Sequence, residues 1–300
     1  MLKIAWSPEY CHPLPAGHRF PMEKYELLPE QLLYEGTVSA QNFFKPNPVN
    51  ESLILETHDP VYWQKLKNLN LSKSEIRATG FPLSKSLVDR EVLIAGGSVQ
   101  AADFALEYGI AMNIAGGTHH AFADRGEGFC LLNDIALASK HLQKNKGIDR
   151  ILVLDLDVHQ GNGTAAIFRG DESVFTFSMH GAKNYPHRKE ESDWDIPLED
   201  GTGDQTYLEI LSRSLDKFTD RFEPQFIMYQ CGVDILKTDK LGRLGMSIAG
   251  VRERDRKVLE FAKKNQLPVM CCMGGGYSQK ISLIIEAHAQ VYRLAQEIFF

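Results

Sequence analysis

Asp155, Asp157 and His159 occupy alternate positions, i, i+2 and i+4, where the apolar run Ile151–Leu156 ends. On extended chain such residues project to one side. Two carboxylates at the end of an otherwise apolar strand are costly to bury unless a cation compensates them. A divalent metal is the economical answer, with Asp234 available after a second apolar run, Phe226–Cys231. Asp157, His159 and Asp234 would supply two carboxylates and one imidazole, leaving one position open for water. Three protein ligands plus water is the pattern of a catalytic zinc rather than a structural one. The competing reading makes each aspartate a helix cap or turn residue, which suits one of them better than the whole set.

The tandem His119-His120 follows Gly116-Gly117-Thr118 at the end of another apolar run. An imidazole beside an activated water can remove its proton and later protonate a leaving amine. The isolated His58, His141 and His288 read instead as surface groups or satisfied core groups. Tyr277 follows three glycines, whose backbone freedom can bring a phenol close to a ligand. A donor there can stabilise an oxyanion opposite the metal. A phosphate loop is the weaker reading, because Met273–Gly276 lacks the spaced glycines and the Lys-Ser/Thr of that motif.

These residues need elements to position them. Gly109–Ala115, Ile151–Leu156, Val174–Ser178, Phe226–Cys231 and Pro268–Met273 read as strands of nearly continuous apolar character, as in a parallel sheet covered on both faces. Helical patterns run over Asn133–Lys146, Tyr207–Phe218, Gly250–Lys264 and Ile281–Phe300, and Ser98 reads as the N-cap of a helix through Glu107. Strands alternating with helices predict one α/β domain over residues 1–300 around a mainly parallel sheet. Ligands of such sheets bind outside the carboxyl ends of the strands. Four strand ends carrying His, Asp and Tyr therefore point at one site.

Composition agrees with an ordinary globular domain. The chain has 300 residues, 43% apolar and 24% charged, with a net charge of -6. That charge excludes a strong basic footprint for direct nucleic-acid binding, while leaving room for a lysine-rich partner. No stretch approaches the roughly 20 apolar residues of a membrane span, and the first residues are too short an apolar region for a secretion signal. Five cysteines without zinc-finger spacing read as buried small hydrophobes in a cytoplasmic protein. Oligomeric state is not legible.

Taken together, Gly116-Gly117-Thr118-His119-His120-Ala121-Phe122, Gly128-Phe129-Cys130, Asn133-Asp134, Asp155-Leu156-Asp157-Val158-His159-Gln160-Gly161-Asn162-Gly163, Cys231-Gly232-Val233-Asp234 and Gly274-Gly275-Gly276-Tyr277 resemble the signature of the zinc-dependent histone deacetylases. The resemblance spans nearly the whole chain in the right order, and the segment from Asp234 through Gly250 looks most like the class IV branch. It implies the arginase-like, three-layer α/β/α fold and the same three zinc ligands. His119 and His120 become the acid/base pair and Tyr277 the oxyanion donor. Asp155 would hold His119, and Asn162 would face His120 where class I enzymes carry Asp. Asn orients the ring without adding charge, so His120 is expected to stay neutral and serve as base.

The resemblance also implies a potassium ion bound by carbonyls of Asp155, Asp157, His159 and Met179 with side-chain oxygens of Asp155 and Ser178. Gly128, Phe129, Tyr185, Leu241 and Gly275 would line a tunnel for the acyl-lysine of a peptide or protein substrate. Removal of an acetyl or long-chain fatty acyl group is the implied reaction. Leu241 stands where polyamine deacetylases of the superfamily place an acidic gatekeeper, which ranks acetylpolyamine low. A di-manganese ureohydrolase ranks lower still, because the tandem His and the Tyr fit deacetylases. A non-catalytic acyl-lysine scaffold is expected to lack a ligand, base or tyrosine, and none is missing. The acidic segment Glu190–Asp195 reads as a solvated run or an attractor of basic peptides.

Overall fold

Eight short segments extend and pair. In the computed structural model, which describes residues 1–300, they are β1 (Lys3–Ala5), β2 (Phe43–Phe44), β3 (Ile110–Asn113), β4 (Ile151–Asp155), β5 (Val174–Gly181), β6 (Trp194–Leu198), β7 (Phe226–Gln230) and β8 (Val269–Cys272). They form one sheet in the order β2-β1-β3-β8-β7-β4-β5-β6. Every pairing is parallel, so all carboxyl ends share one edge. The five expected strands are its interior; β1, β2 and β6 at the margins are too short or too mixed to show the same apolar run.

Alternation along the strands divides the core. Ile151 and Val153 of β4 face one side with Phe226, Met228 and Met270. Leu152 and Leu154 face the other with Ile227, Tyr229 and Val269. The first face is covered by the second half of α5 (Lys85–Tyr108) and by α6 (Asp134–Lys146), through Ala101, Ala105, Ile135 and Leu142. The second is covered by α1 (Lys24–Tyr34), α8 (Asp204–Arg221), α9 (Ile248–Lys264) and α10 (Ile281–Phe299). Three layers result, as patterning requires of a sheet apolar on both faces. Shorter helices α2 (Glu51–Thr57), α3 (Pro60–Lys67), α4 (Lys73–Thr79) and α7 (Asn162–Phe168) complete the fold. No helix is long and apolar enough to cross a membrane.

One expected boundary is corrected. Ser98 lies inside α5, whose N-cap is Ser84, its hydroxyl accepting from Leu87 N–H at 3.1 Å. The Gly96-Gly97 pair before Ser98 does not break the helix but lets it pack closely. A Cβ on Gly96 would stand 1.8 Å from the Asn47 carbonyl oxygen. Ser98, fully buried, instead hydrogen-bonds the Asp134 carboxylate.

Arg254 of α9 holds the business edge of the sheet from below. Fully buried, it pairs with Asp255 (Nε–Oδ1 2.9 Å) and donates to the carbonyls of Gly232 at 2.6 Å and Cys231 at 3.1 Å. Tyr229 donates to the same carboxylate at 2.6 Å. Arg254→Met would leave Asp255 buried without its cation, at a cost of about 3–5 kcal/mol. Calorimetry should show the thermal midpoint falling by roughly 5–10 °C; a fall of about 2 °C or less would remove the pair from the stabilising framework.

Candidate active site

The chemical residues leave four adjacent strands, β3, β8, β7 and β4. The loop after β3 is tied down first. Asp134, at the first turn of α6, accepts from Thr118 N–H at 2.8 Å and Gly117 N–H at 3.2 Å. Gln230 donates to the Gly117 carbonyl at 2.8 Å. So clamped, the loop delivers His119 and His120 side by side, their ring centres 4.1 Å apart.

The two rings differ in their partners. His119 Nδ1 donates to Asp155 Oδ2 at 2.6 Å, and His120 Nδ1 donates to Asn162 Oδ1 at 2.6 Å. Both are buried. Burial opposes charge on His119, yet the Asp155 carboxylate overrides it and raises its pKa. For His120, burial and then the neighbouring imidazoles of His119 and His159 hold the pKa well below the usual range. With Nδ1 carrying the proton, Nε2 of His120 is left as an acceptor.

Asp157, His159 and Asp234 converge, with one potential ligand atom from each within 4.8 Å of the others. His159 Nδ1 stands 3.1 Å from Asp157 Oδ1 and 3.1 Å from Asp234 Oδ2. The remaining carboxylate oxygens are held by backbone: Gly275 N–H donates to Asp157 Oδ2 at 2.8 Å, and Val158 N–H to Asp234 Oδ1 at 2.9 Å. The glycines matter here as space. A Cβ on Gly275 would fall 2.0 Å from Asp234 Oδ2. Burial, then the like charge of Asp157, pushes the Asp234 carboxyl up to about 7. Two oxygens and one nitrogen aimed at a common point, in a site that penalises their charge, fit a divalent metal.

Tyr277 packs in the wall of the same site, its ring centre 6.5 Å from that of His159. Burial, with the Asp234 and Asp157 carboxylates behind it, raises its pKa well above the usual phenol value, so it stays a donor. Its backbone N–H donates to Asp239 at 2.6 Å, and Asp239 also accepts from Leu241 and Gly242 N–H. Sequence reading gave Asp239 no role; its place two residues before Leu241 was the only signal. Lys24 was missed as well. Fully buried, it donates to the Gly274 carbonyl at 2.9 Å, with its ammonium 5.6 Å from the Tyr277 ring centre.

An outer slot of about 470 Å³ is lined by Gly128, Phe129, Tyr185 and Leu241 with His120, His159 and Tyr277. It meets an inner chamber of about 40 Å³ whose lining includes Gly275, Gly128, Phe129 and the tandem histidines. All five expected tunnel residues therefore face one of the two. The Tyr185 phenol donates to Glu127 at 2.7 Å. Of the expected potassium residues, Asp155 pairs in register with Ser178 across β4 and β5, Met179 follows, and all three are buried.

One expectation changes. His288 is not a satisfied core histidine: it is buried with neither ring nitrogen hydrogen-bonded. His58 does fit that reading, bonded to Phe122 O and Asn133 N, and His141 pairs with Asp103. In the acidic segment three carboxylates have partners while Glu191 is exposed without one. Glu190 pairs with Arg169, Asp193 accepts from Thr176 N–H at 2.7 Å, and Asp195 accepts from Gln160 at 2.8 Å.

Known proteins bear on this geometry. Residues 18–292 match the family model described as the histone deacetylase domain. An uncharacterized protein of Picosynechococcus sp. is 39% identical over 99% of this chain and 99% of its own. Histone deacetylase 2 of Arabidopsis thaliana is 31% identical over 89% of this chain and 72% of its own. Among solved structures, an HDAC homolog complexed with SAHA superposes with a TM-score of 0.83 at 25% identity, covering 98% of this chain and 82% of that one. With the motifs in order and the fold in agreement, the chain belongs to the histone deacetylase family.

Proposed function

We propose that residues 1–300 form one catalytic domain, a zinc-dependent deacylase that hydrolyses the acyl amide of modified lysine side chains, with acetyl preferred. The convergence of a three-ligand set, a neutral His120 and a protonated Tyr277 at the floor of one slot carries this reading. Family membership and deacetylase relatives support the activity, and the homolog complexed with SAHA supports the slot as a ligand site.

Zinc held by Asp157, His159 and Asp234 would supply Lewis-acid polarisation and an acidified water. The protein does the rest. The slot walls Phe129 and Tyr185 orient the lysine stem. His120 Nε2 accepts a proton from the attacking water. The Tyr277 phenol donates a hydrogen bond to the carbonyl oxygen as negative charge develops on it. The proton is then delivered to the lysine nitrogen as the C–N bond breaks, so water is consumed and a carboxylate and an amine are released. A potassium ion near Asp155 and Ser178 remains part of the proposal. Five unpaired cysteines support a reducing, cytoplasmic address.

Chamber size supports the smaller acyl group. About 40 Å³ accommodates a few water-sized groups at ~10–15 Å³ each, which suits acetyl; a myristoyl chain needs many times that space. The class IV likeness supports the second, long-chain reading. The test is kcat/KM of zinc-loaded protein on one lysine peptide, acetylated or myristoylated. Preference for acetyl is expected. Preference for myristoyl would establish a fatty deacylase, and zinc and peptide binding without hydrolysis of either would leave a scaffold.

A further inference from the structure

The mouth of the slot carries positive charge that no carboxylate neutralises. Arg19 and Arg77 line the outer cavity, and both are exposed. The Arg19 guanidinium lies 5.1 Å from the centre of the Phe129 ring, which stations it at the rim. Arg77 is held there by the backbone around it. Gly128 N–H and Phe129 N–H donate to the carbonyls of Ala78 and Thr79 at 3.0 and 2.8 Å, stitching the end of α4 to the tunnel wall. Exposed His187 lines the same cavity.

Neither arginine forms an ion pair, and Glu127, the one carboxylate lining the cavity, is already engaged. Glu127 accepts from Arg125 Nε at 2.8 Å and from the Tyr185 phenol at 2.7 Å. The rim is thus cationic on a molecule whose net charge is -6. An exposed guanidinium beside an entrance attracts anions and repels cations approaching it.

We infer that the slot selects acyl-lysines flanked by acidic residues and disfavours those in lysine- and arginine-rich segments. The inference rests on the deacylase reading and names its substrate class. Bound in the slot, the acylated lysine is itself neutral, so the flanking side chains supply the charge that the rim senses. Arg19 and Arg77 are the specificity-determining residues, reaching substrate outside the reacting bond.

The test uses three acetyl-lysine peptides of equal length, flanked by Asp/Glu, by Gly/Ser or by Lys/Arg, with zinc-loaded protein at low ionic strength. The acidic peptide is expected to exceed the basic one in kcat/KM by about tenfold, from two exposed charges that attract one and repel the other. The ratio should shrink at high salt. Arg77→Glu, which leaves the aromatic wall untouched, should lower the ratio, and Arg19→Glu with Arg77→Glu should reverse it. Acidic and basic peptides within about twofold, or a basic preference, would overturn the inference while leaving the deacylase reading intact. Hydrolysis of none of the three would overturn that reading, and the inference with it.

Discussion

Tyr277→Phe lowers kcat by roughly 100- to 1,000-fold, the loss expected when one preorganised oxyanion donor is removed. The substitution is close to a pure deletion of the hydroxyl. Phe keeps the ring, which packs edge-on against Phe20 at 5.9 Å and beside Phe129 at 6.0 Å between centres. The backbone N–H still reaches Asp239, and the Lys24 ammonium still faces a π-surface. Substrate binding in the slot should therefore persist, with KM changing little while kcat collapses, because the lost bond forms only as charge develops. Steady-state kinetics on an acetyl-lysine peptide decides it. Activity within about threefold of wild type would remove Tyr277 from the chemistry, since oxyanion donors cost far more.

His120→Ala is the second large effect, a loss of about 100- to 10,000-fold in kcat for a missing general base. The proposed mechanism assigns the base to His120 rather than His119. Asn162 Oδ1 accepts its Nδ1 proton and adds no negative charge, whereas Asp155 faces His119. Asn162→Asp tests that contrast from the other side. A carboxylate facing His120 would raise its pKa, so the base would stay protonated to higher pH. The acidic limb of the kcat/KM profile should therefore move upward, with activity falling first on the acid side. An unmoved limb would assign the base to another group. A loss below about tenfold in His120→Ala would do the same.

The slot's electrostatics illustrate what a linear reading misses. Glu190–Asp195 is the conspicuous acidic run in the sequence, and on charge alone it invites basic partners. Folding engages three of its carboxylates, Glu190 with Arg169, Asp195 with Gln160 and Asp193 with the Thr176 backbone. Arg19 and Arg77 stand far apart in a sequence with no basic run around either, yet both reach one cavity. Charge patterning is local, and the sign of an entrance is set by which acids have already found partners.

Residue order alone made the candidate groups and their rough placement legible. Apolar strands that end in Asp-x-Asp-x-His, Gly-Val-Asp and Gly-Gly-Gly-Tyr place polar groups at the carboxyl edge of a parallel sheet, because burial on both faces leaves them nowhere else to go. Tertiary structure alone decided the rest. It set the order β3-β8-β7-β4 that brings four strand ends together. It recruited Asp134, Gln230, Asp239, Arg254 and Lys24 as supports, and gave glycines such as Gly275 their purpose as space beside carboxylates. Ser98 shows the limit most directly: a serine after two glycines reads as a helix start, but close approach of another segment makes the same residues a helix interior. Periodicity and residue type report an element's own preferences, whereas contacts between distant segments decide which polar groups are satisfied, which are crowded and which remain free to meet a substrate.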